Sequence, residues 1–432
     1  MKLSVKRSAL ASGALTALCM AMLFSGSVTA AETGLSPELA NRIKHGEYLS
    51  RVGDCAACHT NQGGKTFAGG LPMSTPIGAI YSSNITPDPK TGIGNYSFDD
   101  FNKAVRFGVS KKLGRLYPAM PYTSFVKVSE SDMQDLYLYF MYGVKPIAEP
   151  DKESDIPWPL SIRWPLAVWD GIFRHDGIYQ ADASQSDEWN RGAYLVQGLG
   201  HCGACHSPRG IGFQEKGLDS SDEAYLTGGT LEGWHAPALT ADKRLGLGSW
   251  SQKEIAQFLK TGHTEKTAAF GSMVDVIQDS TQYMSDSDLM AIAAYLGTVG
   301  AEANKYSKPA ESDQGATRKA LYYGDMSQPG AQLYVDNCAA CHRTDGKGYT
   351  NTFPALAQNP VLLSEDPSSL ISLVLHGSKV PMTQSAPTGL TMPDFGWRLN
   401  DQEVADLVTF IRNGWGNKAP AVSKDDVADL RE

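Results

Sequence analysis

Three short stretches combine residue types and spacing that imply chemistry. They are Cys55-Ala56-Ala57-Cys58-His59, Cys202-Gly203-Ala204-Cys205-His206 and Cys338-Ala339-Ala340-Cys341-His342. In each, two thiols stand one helical turn apart and a histidine follows directly. This is the signature of c-type haem attachment. Cys55, Cys58, Cys202, Cys205, Cys338 and Cys341 would each form a thioether to a haem vinyl group. His59, His206 and His342 would each give the iron an axial imidazole. Half a zinc site or a redox dithiol also begins with Cys-x-x-Cys. Zinc would need further ligands at suitable spacing, and the one remaining cysteine, Cys19, lies near the start of the chain. A redox dithiol has no use for a trailing histidine three times over. The motifs therefore predict three covalently bound haem c groups.

Composition agrees with export. Lys2, Lys6 and Arg7 precede an apolar run from Ala9 to Phe24, and Val28-Thr29-Ala30 offers small residues for cleavage. Residues 1–30 thus read as a signal peptide. Cys19 goes with it, because Leu18 is too large for a usual lipoprotein cleavage site. No cysteine is then left for a structural disulfide, although an oxidising compartment would permit one. The formal charge is −9, and removing the basic leader makes it more negative. That balance argues against nucleic acid and offers no polybasic patch to a membrane. Beyond the leader no apolar run approaches the roughly 18 residues of a membrane span. The longest, 136–144, reads as a buried helix.

The elements that must position the motifs repeat with them. Gly46, Gly192 and Gly330 stand on segments leading into the three motifs. Ser129-x-x-Asp132, Ser285-x-x-Asp288 and Asn400-x-x-Glu403 begin three closing helices in variants of the capping box. Apolar residues follow at helical spacing, as in Val404, Leu407, Val408 and Ile411. Tyr139, Tyr295 and Phe410 occupy matching places, and Gly143, Gly297 and Gly414 end the helices. A glycine on the first helix and an aromatic on the last predict a close helix crossing, with both residues serving packing. The arrangement resembles the class I cytochrome c fold. The expected fold is all-α: three tandem class I cytochrome c domains, each around one covalent haem, joined by extended linkers. The expected boundaries are 36–148, 188–299 and 328–417, with linkers at 149–187 and 300–327 and a polar tail at 418–432. The first linker carries Trp158, Trp164 and Trp169, expected to pack across the boundary between the first two copies, a partner surface or a membrane interface being the alternatives.

One methionine lies between each motif and its closing helix as candidate sixth ligand: Met120, Met273 and Met392, with Met382 a competitor in the third copy. A thioether opposite histidine favours Fe(II). His45, His175, His201, His235, His263 and His376 show no metal-site spacing and are given only solvation or local hydrogen bonding. Loops carrying Pro76, Pro237 and Pro354 are expected to offer backbone carbonyls to the axial imidazoles.

The whole mature chain resembles the three-haem cytochrome c subunit of membrane-bound bacterial dehydrogenases acting on alcohol, gluconate, sorbitol or fructose. The residues that carry the likeness are the three motifs, Asn84-Ile85-Thr86-Pro87-Asp88 with Gly92-Ile93-Gly94, and Met392 through Trp397. The resemblance implies an electron-transfer subunit with no substrate chemistry of its own and no catalytic residues. Its partner would be a catalytic subunit with FAD or pyrroloquinoline quinone, a flavoprotein being favoured, alongside a small third subunit in some complexes. Electrons would pass through three haems to ubiquinone at the periplasmic face of the bacterial inner membrane. By the same resemblance the six cysteines hold haem, while His59, His206, His342, Met120, Met273 and Met392 are axial ligands. Gluconate is the favoured substrate of such a complex. The charged end of the chain, Lys424-Asp425-Asp426 to Glu432, speaks against a C-terminal anchor. The competing functions are a free periplasmic electron shuttle and a haem peroxidase.

Overall fold

The computed structural model describes residues 35–231, 233–300 and 315–431. The expected signal peptide, 1–30, and part of the second linker, 301–314, lie outside the described residues. The chain divides after Asn41 into two units, and of the first only 35–41 are described, the opening of the helix Pro37–Val52.

The second unit repeats one plan three times. A leading helix runs into a cysteine motif: Pro37–Val52, Asp187–Gln197 and Ala331–Asn337. A middle helix follows: Phe98–Phe107, Gln252–Thr261 and Ser368–His376. Ser97 with Asp100, and Ser251 with Glu254, form complete capping boxes at the first two, so their starts are set locally. Gly108, Gly262 and Gly377 end all three at positive φ. A closing helix completes each copy: Glu130–Leu138 with a wide π-type turn to Gly143, Asp286–Leu296 and Asp401–Asn413.

Leading and closing helices cross as closely as the glycines require. A Cβ on Gly46 would stand 1.9 Å from the Asp135 carbonyl oxygen and 2.7 Å from the Tyr139 Cβ. On Gly192 it would stand 1.9 Å from the Ala291 oxygen and 2.9 Å from the Tyr295 Cβ, and on Gly330 2.2 Å from the Asp406 oxygen. No other residue fits there without parting the helices.

The structure departs from the all-α expectation, being mostly helical with four small antiparallel hairpins among the described residues. The hairpins are Pro72–Thr75 with Gly78–Tyr81, Val109–Ser110 with Gly114–Arg115, Gly229–Leu231 with Trp234–Ala236, and Ser378–Lys379 with Thr391–Met392. They lie in the long loops between motif and closing helix, where no helical periodicity was present to read.

Two hydrophobic cores result. One is continuous through the first two copies, joining Leu49, Phe101 and Leu136 with Leu195, Leu226 and Leu289. The other belongs to the third copy, around Ile371, Val404, Leu407 and Val408.

The segments expected to be extended are partly folded. Residues 149–187 contain the helix Leu166–Phe173, and Ala316–Tyr322 is helical with Leu321 buried in the third core. The polar tail also packs. Ser423 caps the helix Lys424–Ala428, Val422 and Val427 enter the third core, and Arg431 reaches Asp401 at 2.6 Å. Of the linker tryptophans only Trp169 bridges the first two copies, edge-on to Tyr122 and donating to the Gly212 carbonyl at 2.7 Å. Trp158 and Trp164 instead stand 80% and 72% exposed.

Candidate functional site

Each motif is a single helical turn placed by the end of its leading helix. After Val52, Gly53 and Asp54 turn the chain, Asp54 at φ 50°, and Cys55–His59 coils immediately. After Gln197, His201 turns at φ 34° and Gly203–His206 follows. In the third copy Ala339–His342 starts directly from Cys338. No disulfide joins the six cysteines. The thiols of Cys55, Cys202 and Cys338 are pushed up to about 12, chiefly by burial and then by neighbouring groups, Asp54 beside Cys55 and the second cysteine of the motif beside the other two. Raised thiols of this kind do not suit a reactive redox pair, which needs a depressed pKa.

The three histidines share one geometry. His59 Nδ1 meets the Ser83 carbonyl at 2.7 Å, His206 Nδ1 meets that of Pro237 at 2.7 Å, and His342 Nδ1 meets that of Pro354 at 3.0 Å. A carbonyl only accepts, so Nδ1 carries the proton and Nε2 keeps its lone pair, with no hydrogen-bond partner among the described residues. Burial lowers the pKa of all three imidazoles, the carbonyl bond acting against it, which keeps them neutral. A neutral ring, oriented through its other nitrogen, is what a metal-ligating histidine requires. The donors present therefore fit haem c: paired thiols on one helical turn and a fixed, neutral imidazole beside them.

Pro237 and Pro354 act as expected, but Pro76 does not. It lies in the turn of the hairpin 72–81, and Ser83 takes its place. The sequence contains the signal. Ser83 and Pro237 each precede by three a threonine that opens an equivalent loop, Thr86-x-Asp88 and Thr240-x-Asp242. Gly92 and Gly246 close these loops, with room for no Cβ against the Thr86 and Thr240 oxygens, at 2.1 and 2.3 Å.

The candidate methionines are placed less alike. Met120 packs on the shared core and Met392 on the third core, while Met273 opens the short helix Met273–Asp275 and is half-buried. Met382 is exposed, its backbone bound to Gln278.

The first two motifs are neighbours. Cys55 and Cys202 both pack on the shared core, and a Cβ on Gly53 would stand 3.3 Å from the Leu199 side chain. Two exchanged contacts join the copies. Tyr48 donates to Asp288 at 2.5 Å, and Tyr194 donates to Asp132 at 2.6 Å. Both tyrosines stand two residues after the crossing glycine. Both carboxylates are the last residue of the capping pattern, turned from their own helix to the other copy. Burial and the carboxylate partner raise Tyr48, and they push Tyr194 up to about 12. Sequence reading missed this pair of contacts, although Tyr48 and Tyr194 at equal offsets, with Gln332 in the third copy, marked it. It also gave His235 too small a role, since this ring lies 3.4 Å from Asp366 of the third copy.

Comparison with known proteins agrees with this geometry. Residues 327–415 match the family model described as Cytochrome c. Across 90% of its length the chain is 54% identical to a gluconate 2-dehydrogenase cytochrome c subunit of Pantoea cypripedii, covering 89% of that protein. It is 48% identical to the cytochrome c subunit of an alcohol dehydrogenase (quinone) of Gluconobacter oxydans, over 90% of this chain and 82% of that one. A fructose dehydrogenase cytochrome subunit of Gluconobacter japonicus shares 37% over 96% of this chain and 88% of its own length. The chain belongs to the family of dehydrogenase cytochrome c subunits.

Proposed function

We propose that this chain is the electron-transfer subunit of an exported dehydrogenase complex, with one class I cytochrome c unit and one covalent haem in each of its three copies. The observation that carries the reading is the histidine arrangement, repeated three times: a motif imidazole held at Nδ1 by a backbone carbonyl with Nε2 available. Bound haem supplies a one-electron carrier. The chain's part is to hold it through Cys55, Cys58, Cys202, Cys205, Cys338 and Cys341, and to orient His59, His206 and His342 toward the iron. Met120, Met273 and Met392 are proposed as the opposite ligands, where a thioether favours the reduced state. The adjacency of the first two motifs supports transfer between those two copies.

Electrons would enter from a separate catalytic subunit, a flavoprotein in preference to a quinoprotein, and leave to ubiquinone at the periplasmic face of the inner membrane. Gluconate is the favoured substrate of the complex, in line with the 54% identity to a gluconate 2-dehydrogenase subunit. The test is to purify the protein from gently solubilised membranes and add gluconate, fructose and ethanol in turn without oxygen. Copurification of a larger subunit, three haems per chain and reduced-haem bands with one substrate are expected. A cytochrome that emerges alone and is reduced by none of them would overturn the reading in favour of a free shuttle.

A further inference from the structure

The second motif differs from the other two at the residue after its first cysteine. Gly203 stands there, where the first and third motifs carry Ala56 and Ala339. Its backbone is ordinary helix, so conformation does not call for glycine. Space does. A Cβ on Gly203 would stand 2.6 Å from the Glu215 Oε2, 3.3 Å from the Ser207 Oγ and 3.5 Å from the Tyr225 ring. The Glu215 carboxylate therefore rests directly on the helical turn Gly203–His206. In motifs one and three an alanine methyl occupies the matching place.

The loop that carries Glu215 holds it there. It leaves the motif at Ser207 and doubles back on itself. Gly210 N–H donates to the Gln214 carbonyl and Lys216 N–H to the Pro208 carbonyl, both at 2.8 Å, and Arg209 pairs with Glu215 in an antiparallel bridge. The Arg209 guanidinium donates to the Ala204 carbonyl within the motif and, at 3.0 Å, to the Phe213 carbonyl. Both side chains of the bridge thus meet the same turn.

A second cation comes from the first copy. Lys127, its side chain 12% exposed, enters the second copy. There Nζ donates to Gln197 at 3.0 Å, the Leu218 carbonyl at 2.7 Å and Asp219 at 3.2 Å. Burial raises the Glu215 carboxyl above its ordinary value, while Arg209 and Lys127 act against the rise. Cations facing a carboxyl group favour its ionised form. The charge reaches the haem-attachment residues: the Cys202 thiol is raised by burial, then by Cys205, and Glu215 adds to the rise.

We propose that Glu215 sets the potential of the second haem: its carboxylate, seated on Gly203, stabilises the oxidised iron and makes that haem harder to reduce. The inference rests on the proposed haem at the second motif and deepens it. The step concerned is the gain of one electron by Fe(III) to give Fe(II), the electron coming from a neighbouring haem or the catalytic subunit. No bond is made or broken. A fixed negative charge in a site packed on the apolar core favours the more positive iron.

The test is a mediated potentiometric titration, at constant pH, of the purified haem-loaded full chain, resolving its three haems by their visible bands. Glu215→Gln keeps the size and removes the charge. It is expected to raise one potential, so that the reduced-to-oxidised ratio of that haem at a fixed applied potential rises about fivefold or more. The other two should stay in place, and the reduced bands should keep their positions, because Glu215 is not an axial ligand. Glu215→Asp retains the charge and should change the ratio by less than about twofold. Gly203→Ala gives the second motif the residue of the other two, pushes the carboxylate off its seat and should raise the same potential. Unmoved potentials in either Glu215→Gln or Gly203→Ala would overturn the proposal. So would Glu215→Asp shifting as far as Glu215→Gln, which would make packing the cause in place of charge. The mass of the peptide spanning Cys202 and Cys205 separates the two readings. Without covalent haem on it both fail, whereas a haem-bearing peptide with potentials indifferent to Glu215→Gln overturns this inference alone.

Discussion

The first two copies meet each other quite differently from the way the second meets the third. Copies one and two share one apolar core, with Tyr48–Asp288 and Tyr194–Asp132 crossing in opposite directions. Ser129 N–H and Ser285 N–H each donate to the tyrosine of the other copy, which repeats the exchange. Copy three keeps its own core and meets copy two largely through polar groups. Ser369 Oγ accepts from His235 N–H at 2.8 Å and donates to the His235 carbonyl at 2.9 Å, while Asp366 accepts from Thr230 at 2.6 Å. The comparison teaches that repeated domains need not be equal units. An exchanged, core-continuous contact is expected to make one folding body of two copies, whereas the third, with its own core, is expected to unfold in a separate transition.

The largest effect should come from inside that fused body. Gly192→Ala forces a methyl group into the Ala291 carbonyl and is expected to cost about 3 kcal/mol through overpacking. Chemical denaturation of the haem-loaded protein should show copies one and two lost together while copy three unfolds at its usual midpoint. Gly297→Ala, whose Cβ would meet its nearest atom at 3.3 Å, should be mild by comparison.

Tyr194→Phe removes one half of the exchange and leaves Asp132 short of a buried donor, at an expected cost of about 2 kcal/mol. If copies one and two still melt as one transition with an unchanged midpoint, the exchanged contact is not what couples them.

Acid and alkali should separate the two contacts. Burial, then Asp279 and Asp275, push Asp54 up to about 8. Its contribution is therefore present below the ordinary carboxylate range and is lost as pH climbs through about 8. Asp366 is held well below its ordinary value, chiefly by its bond to His235, so its contribution is lost as pH falls below the carboxylate range. Asp288 is also held below its ordinary value: burial works to raise it, and the bonds from Arg191 and Tyr48 outweigh that. Alkaline titration should thus loosen only the first pair, and Asp54→Asn should flatten that limb. Acid should loosen both contacts. A pH series of melting curves checks both signs.

The smallest change is expected from Ser369→Ala, at about 1 kcal/mol for the hydrogen bonds of one buried hydroxyl. It should raise protease sensitivity between copies two and three without moving the transition of the first two.

The sequence by itself determined the local motifs and their repeat. Cys-x-x-Cys-His needs only one helical turn, a local object, so the thiols and imidazoles were legible three times over. The capping residues were legible for the same reason, because i, i+3 neighbours decide them, and the crossing glycines because they recur at one place in all three copies. Tertiary structure decided what depends on partners far along the chain. It chose Ser83 over Pro76 as the carbonyl that orients His59, because hairpin pairing carries Pro76 away. It turned Asp132 and Asp288 from their own helices to another copy, since a tyrosine more than sixty residues distant offered a buried donor. It also left Trp158 and Trp164 in the open, where composition had favoured burial. Local patterns state which groups a segment offers, and only packing states what those groups face.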